Sequence, residues 1–281
     1  MINYEIRPMK PDEMELAIDW AHKEGWNPGL NDAKCFYNAD PNGFFVGLVN
    51  GHIVSMISAV KYGSSYGFIG FYIVDPEFRG EGLGVKIWNH AIQYLQGRII
   101  GLDGVPDQIS NYEKAGFKLA HRNITFKGIA ENRSFDSRGI VELSEGNFEF
   151  VSIYDRQFVP AERDNFLRCW LSQKESYVLG IVDDAKLMGY GKIRKCREGY
   201  KIGPLFTNNA EIAEQLFIAL QNKIPKGSYF TLDIPELNTE SLNIADKFKM
   251  EYSFETARMY KNGIPAIDLK KVFGITTCEL G

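Results

Sequence analysis

Two stretches of this chain, about 130 residues apart, are written alike, and a repeat of that length is a whole domain rather than a solenoid unit. Phe45-Val46-Gly47-Leu48-Val49, Asn50-Gly51 and His52-Ile53-Val54-Ser55-Met56-Ile57 read as a hairpin, because Asn-Gly supplies the two positive-φ residues of a tight turn. Val178-Leu179-Gly180-Ile181-Val182, Asp183-Asp184 and Lys186-Leu187-Met188-Gly189-Tyr190 repeat it. Gly67-Phe68-Ile69 is then echoed by Gly199-Tyr200-Lys201-Ile202, and Leu102-Asp103-Gly104-Val105-Pro106 by Leu232-Asp233-Ile234-Pro235. The expectation is two related α/β domains, residues 1–130 and 140–281, joined by the polar stretch Gly128–Gly139.

The bulk numbers agree with two folded domains. There are 281 residues, 44% hydrophobic and 24% charged. A net charge of −4 weighs against nucleic acid as a partner, since phosphates need a basic face. No apolar run approaches the ~20 residues of a membrane span, and the first residues carry no apolar signal segment, so a cytoplasmic protein is expected. The 4 cysteines, Cys35, Cys169, Cys196 and Cys278, form no C-x-x-C pair, and only 4 histidines accompany them. No metal site is expected, and the thiols are expected free in a reducing compartment.

In the first half the pattern predicts a strand at 4–7, a helix at 12–24 opened by Pro11, a short helix at 31–38, the hairpin and a strand at 68–74. A helix at 84–95, a strand at 99–103 and a short helix through Tyr112 follow, with 123–126 completing the sheet. The run Phe71-Tyr72-Ile73-Val74-Asp75-Pro76-Glu77-Phe78-Arg79-Gly80-Glu81-Gly82-Leu83-Gly84 concentrates the chemistry. An apolar strand enters a turn with alternating glycines and an amphipathic helix leaves it. Glycine lets a ligand approach the backbone, and the helix start adds about half a positive charge. The combination suits a pyrophosphate. No Gly-Lys-Ser/Thr follows, and Gly80, Gly82 and Gly84 stand too close for the dinucleotide G-x-G-x-x-G. A tight turn without a ligand is the plain alternative.

Arg79, Gly82 and Gly84 fill R/Q-x-x-G-x-G/A between a strand and a helix, and Asn111-Tyr112-Glu113-Lys114-Ala115-Gly116-Phe117 fits a later N/x-Y-x-x-x-G-F. With the order of elements, this makes residues 3–127 resemble the GNAT superfamily of N-acetyltransferases. The resemblance implies a mixed α/β sheet and acetyl-CoA as co-substrate. Its pyrophosphate would lie on Arg79, Gly80, Gly82, Gly84 and Val85, and its pantetheine arm along Tyr72, Ile73 and Val74. Gln108 would stand where the family has an asparagine on the pantetheine amide. Tyr112 resembles the acid that protonates the coenzyme A sulfur, and Asp103 the carboxylate that acts on the amine through water. Asp75 and Glu77 are expected to be solvated. His22, His52, His90 and His121 show no pattern that marks a base.

The second half has Gly203-Pro204-Leu205-Phe206-Thr207-Asn208-Asn209-Ala210 where the signature should stand. It resembles the degenerate C-terminal domain of tandem GNAT proteins, as do the loop Gly25–Ala33 and the end Thr256–Tyr260, and it is expected not to bind the cofactor. Trp26, Asn27 and Asp32 are candidates for the acceptor pocket, since an aromatic ring and a carboxylate suit a cationic amine. Tyr200 and Arg258 would join them if the second domain closes over the cleft. Otherwise that domain would stabilise the chain or make a homodimer.

The expected reaction is acetyl transfer to the primary amine of a small molecule, by direct attack in a ternary complex. The amine must lose a proton from a group of pKa near ~10, the oxyanion needs donors, and the thiolate needs a proton. A protein or peptide N-acetyltransferase, favoured by an open cleft, and a non-catalytic acyl-CoA sensor are the alternatives. Neither G-x-S-x-G nor a Walker lysine appears, which leaves hydrolase and kinase chemistry unsupported.

Overall fold

The computed structural model describes residues 3–281. The first half contains β1 (Tyr4–Pro8), α1 (Met14–Lys23), α2 (Asp32–Ala39), β2 (Phe44–Val49), β3 (His52–Tyr62) and β4 (Tyr66–Val74). Then come α3 (Leu83–Tyr94), β5 (Ile99–Gly104), α4 (Ile109–Lys114) and β6 (Lys118–Ile129). The second half repeats the series as β7 (Ile140–Glu142), α5 (Phe148–Asp155), α6 (Asp164–Leu171), β8 (Ser176–Asp183), β9 (Lys186–Lys195) and β10 (Tyr200–Thr207). It continues with α7 (Ala210–Gln221), β11 (Tyr229–Pro235), α8 (Thr239–Lys247) and β12 (Glu251–Lys261), and adds β13 (Val272–Gly274). Among the described residues no helix is long and apolar enough to cross a membrane.

Turn chemistry sets both hairpins. Asn50 and Gly51 have φ of 50° and 81°, as a two-residue turn between right-twisted strands needs. In the second hairpin the positive φ values fall on Asp184 and Ala185, one residue later than the sequence pattern suggested, because Asp183 still pairs with Lys186.

All the strands join one 13-stranded sheet, and its order is β1-β2-β3-β4-β5-β12-β6-β11-β10-β9-β8-β7, with β13 on β10. The order reads the same from both ends once β12 and β6 are exchanged. Each half gives its long last strand to the other. Ile100–Gly104 of β5 pair with Lys261–Ala257 of β12, and Asn123–Ile129 of β6 pair with Pro235–Tyr229 of β11. This corrects the expectation that residues 123–126 complete the sheet of their own half. Gly128 and Ile129, expected in the linker, end β6 instead, because Gly128 has a strand partner in Phe230.

The exchange carries the cores with it. Ile87 and Ala91 of α3 and Leu95 just after it pack on Ile57, Ile69 and Leu102, and Ala257 and Met259 of β12 complete that cluster. On the other face Met14, Ala17, Ile18 and Phe36 of α1 and α2 share a core with Phe166 and Trp170 of α6. There Cys35 and Cys169 form a disulfide between α2 and α6, with Cα atoms 5.2 Å apart. The expectation of four free thiols is corrected: Cys196 and Cys278 are the free ones.

Candidate active site

β4 and β5 run parallel only from Tyr66–Ile69 against Ile99–Leu102. Beyond that the strands part, and the cause is local. Phe71 and Tyr72 together oppose Ile57 of β3, and Phe71 has φ 46°, so a bulge turns β4 away from β5. The gap opens into a cleft of about 1110 Å³, larger than an ordinary small-molecule pocket. Tyr72, Ile73, Val74, Arg79, Gly80, Gly82, Gly84, Val85 and Gln108 all line it.

The glycine loop is shaped for an anion. Gly82 begins α3 with φ 73°, and a Cβ built there or at Gly80 meets nothing within 4 Å. No side chain caps α3 and no acid occupies its first turn, so its N–H groups stay available. Arg79 holds the loop rather than facing the cleft with its whole guanidinium. Its Nε donates to the Val74 carbonyl at 2.8 Å and its Nη2 to Glu24 at 2.6 Å. Asp75 accepts from the Glu77 N–H at 3.0 Å and so fixes the turn before the loop.

Tyr112 sits on α4 against Gly104 at the end of β5, its ring 5.5 Å from Trp88 and 6.5 Å from Phe117. Burial pushes its pKa up to about 12, so the phenol keeps its proton at neutral pH, as an acid must. Asp103 is placed differently from its expected role. Its Oδ1 and Oδ2 accept from Arg258 Nε and Nη2, both at 2.7 Å, and Oδ1 also accepts from Asn123 at 3.0 Å. A carboxylate engaged on both oxygens and fully buried is a poor base, and this bidentate pair joins β5 to β12 across the strand exchange.

Trp26, Asn27 and Tyr200 line the same cleft. The Asn27 amide is already bound, donating to the Glu198 carbonyl at 2.8 Å and accepting from the Glu198 N–H at 3.2 Å. Two substrate candidates are corrected. Asp32 is fully buried behind the pocket, accepting from Gly29 N–H at 2.7 Å, Gln173 at 2.8 Å and Arg194 at 3.1 Å. It pins the Trp26 loop to the second half. Arg258 serves Asp103 and borders a separate small cavity between the halves.

Sequence reasoning missed Lys201, Asp233, Cys278 and Glu279, which line the cleft too. Lys201 lies 3.8 Å from Asp233 and donates to the Trp26 carbonyl at 3.3 Å. Thr125 donates to Asp233 at 2.7 Å. Among the described residues no cluster of three His, Cys, Asp or Glu is placed to hold a metal.

Comparison with known proteins accounts for this geometry. Residues 11–117 match the Acetyltransferase (GNAT) family and residues 151–274 an Acetyltransferase (GNAT) domain. Holothin acyltransferase of Pseudoalteromonas sp. (strain SANK 73390) is 31% identical over 275 residues, 98% of this chain and 94% of that protein. The chain is a tandem GNAT acyltransferase. The uncharacterized N-acetyltransferase YitH of Bacillus subtilis (strain 168) is 26% identical over 194 residues, 68% of each chain. A solved protein from Pyrococcus horikoshii has the same fold at a TM-score of 0.84, with 18% identity, 99% of this chain and 96% of that one. A tandem GNAT protein from the clavulanic acid biosynthesis pathway follows at 0.63 and 14%, covering 94% and 100%.

The second GNAT unit has closed its own cleft. β10 and β11 also part, after Ile202 and Leu232, but β13 fills the gap and pairs with Leu205 and Phe206. The Ile275 N–H donates to the Asp233 carbonyl at 3.0 Å, which fastens the plug to β11. The eight residues between β4 and α3 have shrunk to Asn208 and Asn209 between β10 and α7. Asn209 caps α7 with its own side chain, accepting from the Ile212 N–H at 3.0 Å. The gap between β10 and β11 and the start of α7 are both occupied by the chain itself.

Proposed function

We propose that this protein is an acetyl-CoA-dependent N-acetyltransferase that acylates the primary amine of a small molecule. The observation that supports it most is the single cleft running from the open start of α3, along the splayed β4, to Tyr112, and ending against the second half. In this reading the pyrophosphate takes the N–H groups of Gly80–Val85, and pantetheine runs along Tyr72–Val74. The amine nitrogen attacks the thioester carbon. A β4 backbone N–H stabilises the oxyanion, and the C–S bond breaks as Tyr112 gives its proton to sulfur. The wall formed by Lys201, Thr231 and Asp233 favours a small acceptor over a protein chain, and the full-length likeness to holothin acyltransferase points the same way. The partners are then co-substrate and amine, with neither nucleic acid nor membrane.

The test is release of free coenzyme A thiol from acetyl-CoA across a panel of amines and N-terminal peptides. Amine-dependent release supports the reading; release with peptides alone would favour a protein acceptor, and binding without any release a sensor. Tyr112→Phe should lower kcat by ~100-fold or more, the usual worth of a general acid, with acetyl-CoA affinity unchanged. Equal kcat would remove Tyr112 from the mechanism.

The state of Cys278 supports direct attack. Its thiol donates to Asp233 at 3.6 Å, and burial, with the Asp233 charge, holds its pKa well above the usual thiol range. A thiol kept protonated is not a nucleophile. Cys278→Ala should cost less than ~10-fold in turnover, whereas loss of a covalent nucleophile would cost orders of magnitude more. Mass spectrometry that finds an acyl group on Cys278 would contradict this.

A further inference from the structure

The segment that plugs the second cleft does not stop there. After β13 and Ile275 it crosses into the first half, where a Cβ on Gly70 would collide with the Glu279 carbonyl oxygen. Gly70 is the first β4 residue past the last β4–β5 pair, so only glycine lets the segment touch the splay point. Leu280 is held there by its N–H on Thr277 at 3.0 Å and by the Tyr62 hydroxyl on its carbonyl at 3.0 Å. The Glu279 backbone thus lies against the splay point, and the residue lines the cleft.

The charges around it balance except for Glu279 itself. From β10 it faces Lys201, which pairs with Asp233 of β11. From β9 and α2 it faces Arg194 and Asp32, which pair with each other at 3.1 Å. Cys196 and Cys278, whose thiols burial pushes up, stay neutral. Among the described residues the carboxylate of Glu279 has only its own backbone N–H as a hydrogen-bond partner. Lys192, also on β9 beside Arg194, is driven towards its neutral form by burial, so the pocket holds one unmatched negative charge. Thr256, 95% buried, and Thr231 add hydroxyls without partners on the floor, while Trp26, Tyr200 and Phe254 supply aromatic walls.

Resting on the acyltransferase reading above, we propose that Glu279 receives the acceptor's ammonium group and takes its proton, so that the acceptor is a small monoamine with a flat, unsaturated body. The carboxylate accepts one proton from R–NH3⁺. The freed nitrogen attacks, the C–S bond breaks, and the thiolate takes the Tyr112 proton. The second nitrogen proton returns to Tyr112 through water, and Glu279 gives its proton to solvent. Burial raises the Glu279 pKa, so the carboxylate is protonated and inactive at low pH and becomes competent as pH rises through that value.

The experiment measures thiol release from acetyl-CoA with tryptamine and 2-phenylethylamine as probes, for wild type and Glu279→Gln, from pH 6 to 10, beside acetyl-CoA titration of both. Glu279→Gln is expected to keep its acetyl-CoA affinity and to lose about 100-fold or more in kcat/KM at neutral pH. The deficit should shrink towards ~pH 10, where the amine is deprotonated by solvent. Wild-type rate and pH profile in the variant would overturn the proposal, and so would a loss that is the same at every pH. If Glu279→Gln is unstable, Glu279→Ala with added formate replaces it: recovery supports the role of the carboxylate, and no recovery opposes it. Acetyl-CoA binding without release from either probe would overturn the monoamine pocket alone. Failure of wild type to bind acetyl-CoA would overturn the acyltransferase reading beneath it.

Discussion

Gly82→Trp is expected to abolish measurable acetyl-CoA binding while leaving the protein folded. Gly82 stands at φ 73° at the start of α3, and the space before it is empty. An indole built there would fill the position in which N–H groups of the helix start would meet the pyrophosphate. The strain of a side chain at positive φ is only about 1–2 kcal/mol, a small part of a typical folding free energy of about 5–15 kcal/mol. Binding is lost for a different reason, since several charge-assisted hydrogen bonds are blocked together, and the expected fall in affinity exceeds ~100-fold. Calorimetry reports the affinity and circular dichroism the fold. A folded variant that binds as wild type does would mean that the pyrophosphate lies elsewhere.

A chain ended at residue 139 is expected not to fold at all. Without β12 the edge of β5 from Ile100 to Gly104 is bare, and without β11 the other edge of β6 is bare. The α3 core also loses Ala257 and Met259, and the core around Phe36 loses Phe166 and Trp170. Each large side chain of that kind contributes roughly 1.5–3 kcal/mol when buried, so the sum removed rivals the stability of a whole domain. The same exchange predicts one unfolding transition for the full chain. A soluble 1–139 fragment with a cooperative thermal transition would show that the first half is self-sufficient despite the exchange.

Local patterns explain what the sequence disclosed. The Asn50-Gly51 turn, the helical spacing of Ile87, Ala91 and Leu95, and the glycines at 80, 82 and 84 each act within a few residues. Their structural consequences were therefore legible. So was Tyr112, carried by a short motif. The strand exchange was not. β6 and β12 have the same pattern whichever β5-like strand they join, and only the assembled sheet chooses between the partners. The Cys35–Cys169 bond spans 134 residues with no spacing motif. Asp32 beside Trp26 looked like a ligand for a cation, but Arg194 on β9, far along the chain, already neutralises it. The part of the cleft lined by the second half is built from β10, β11 and the segment after β13, and no window of sequence holds Lys201, Asp233 and Glu279 together.

The most direct test of the account is calorimetric titration of acetyl-CoA into the full-length protein. One site per chain is predicted, because the cleft of the first half is open and that of the second is filled by β13 and capped by Asn209. No binding, or two sites per chain, would contradict it.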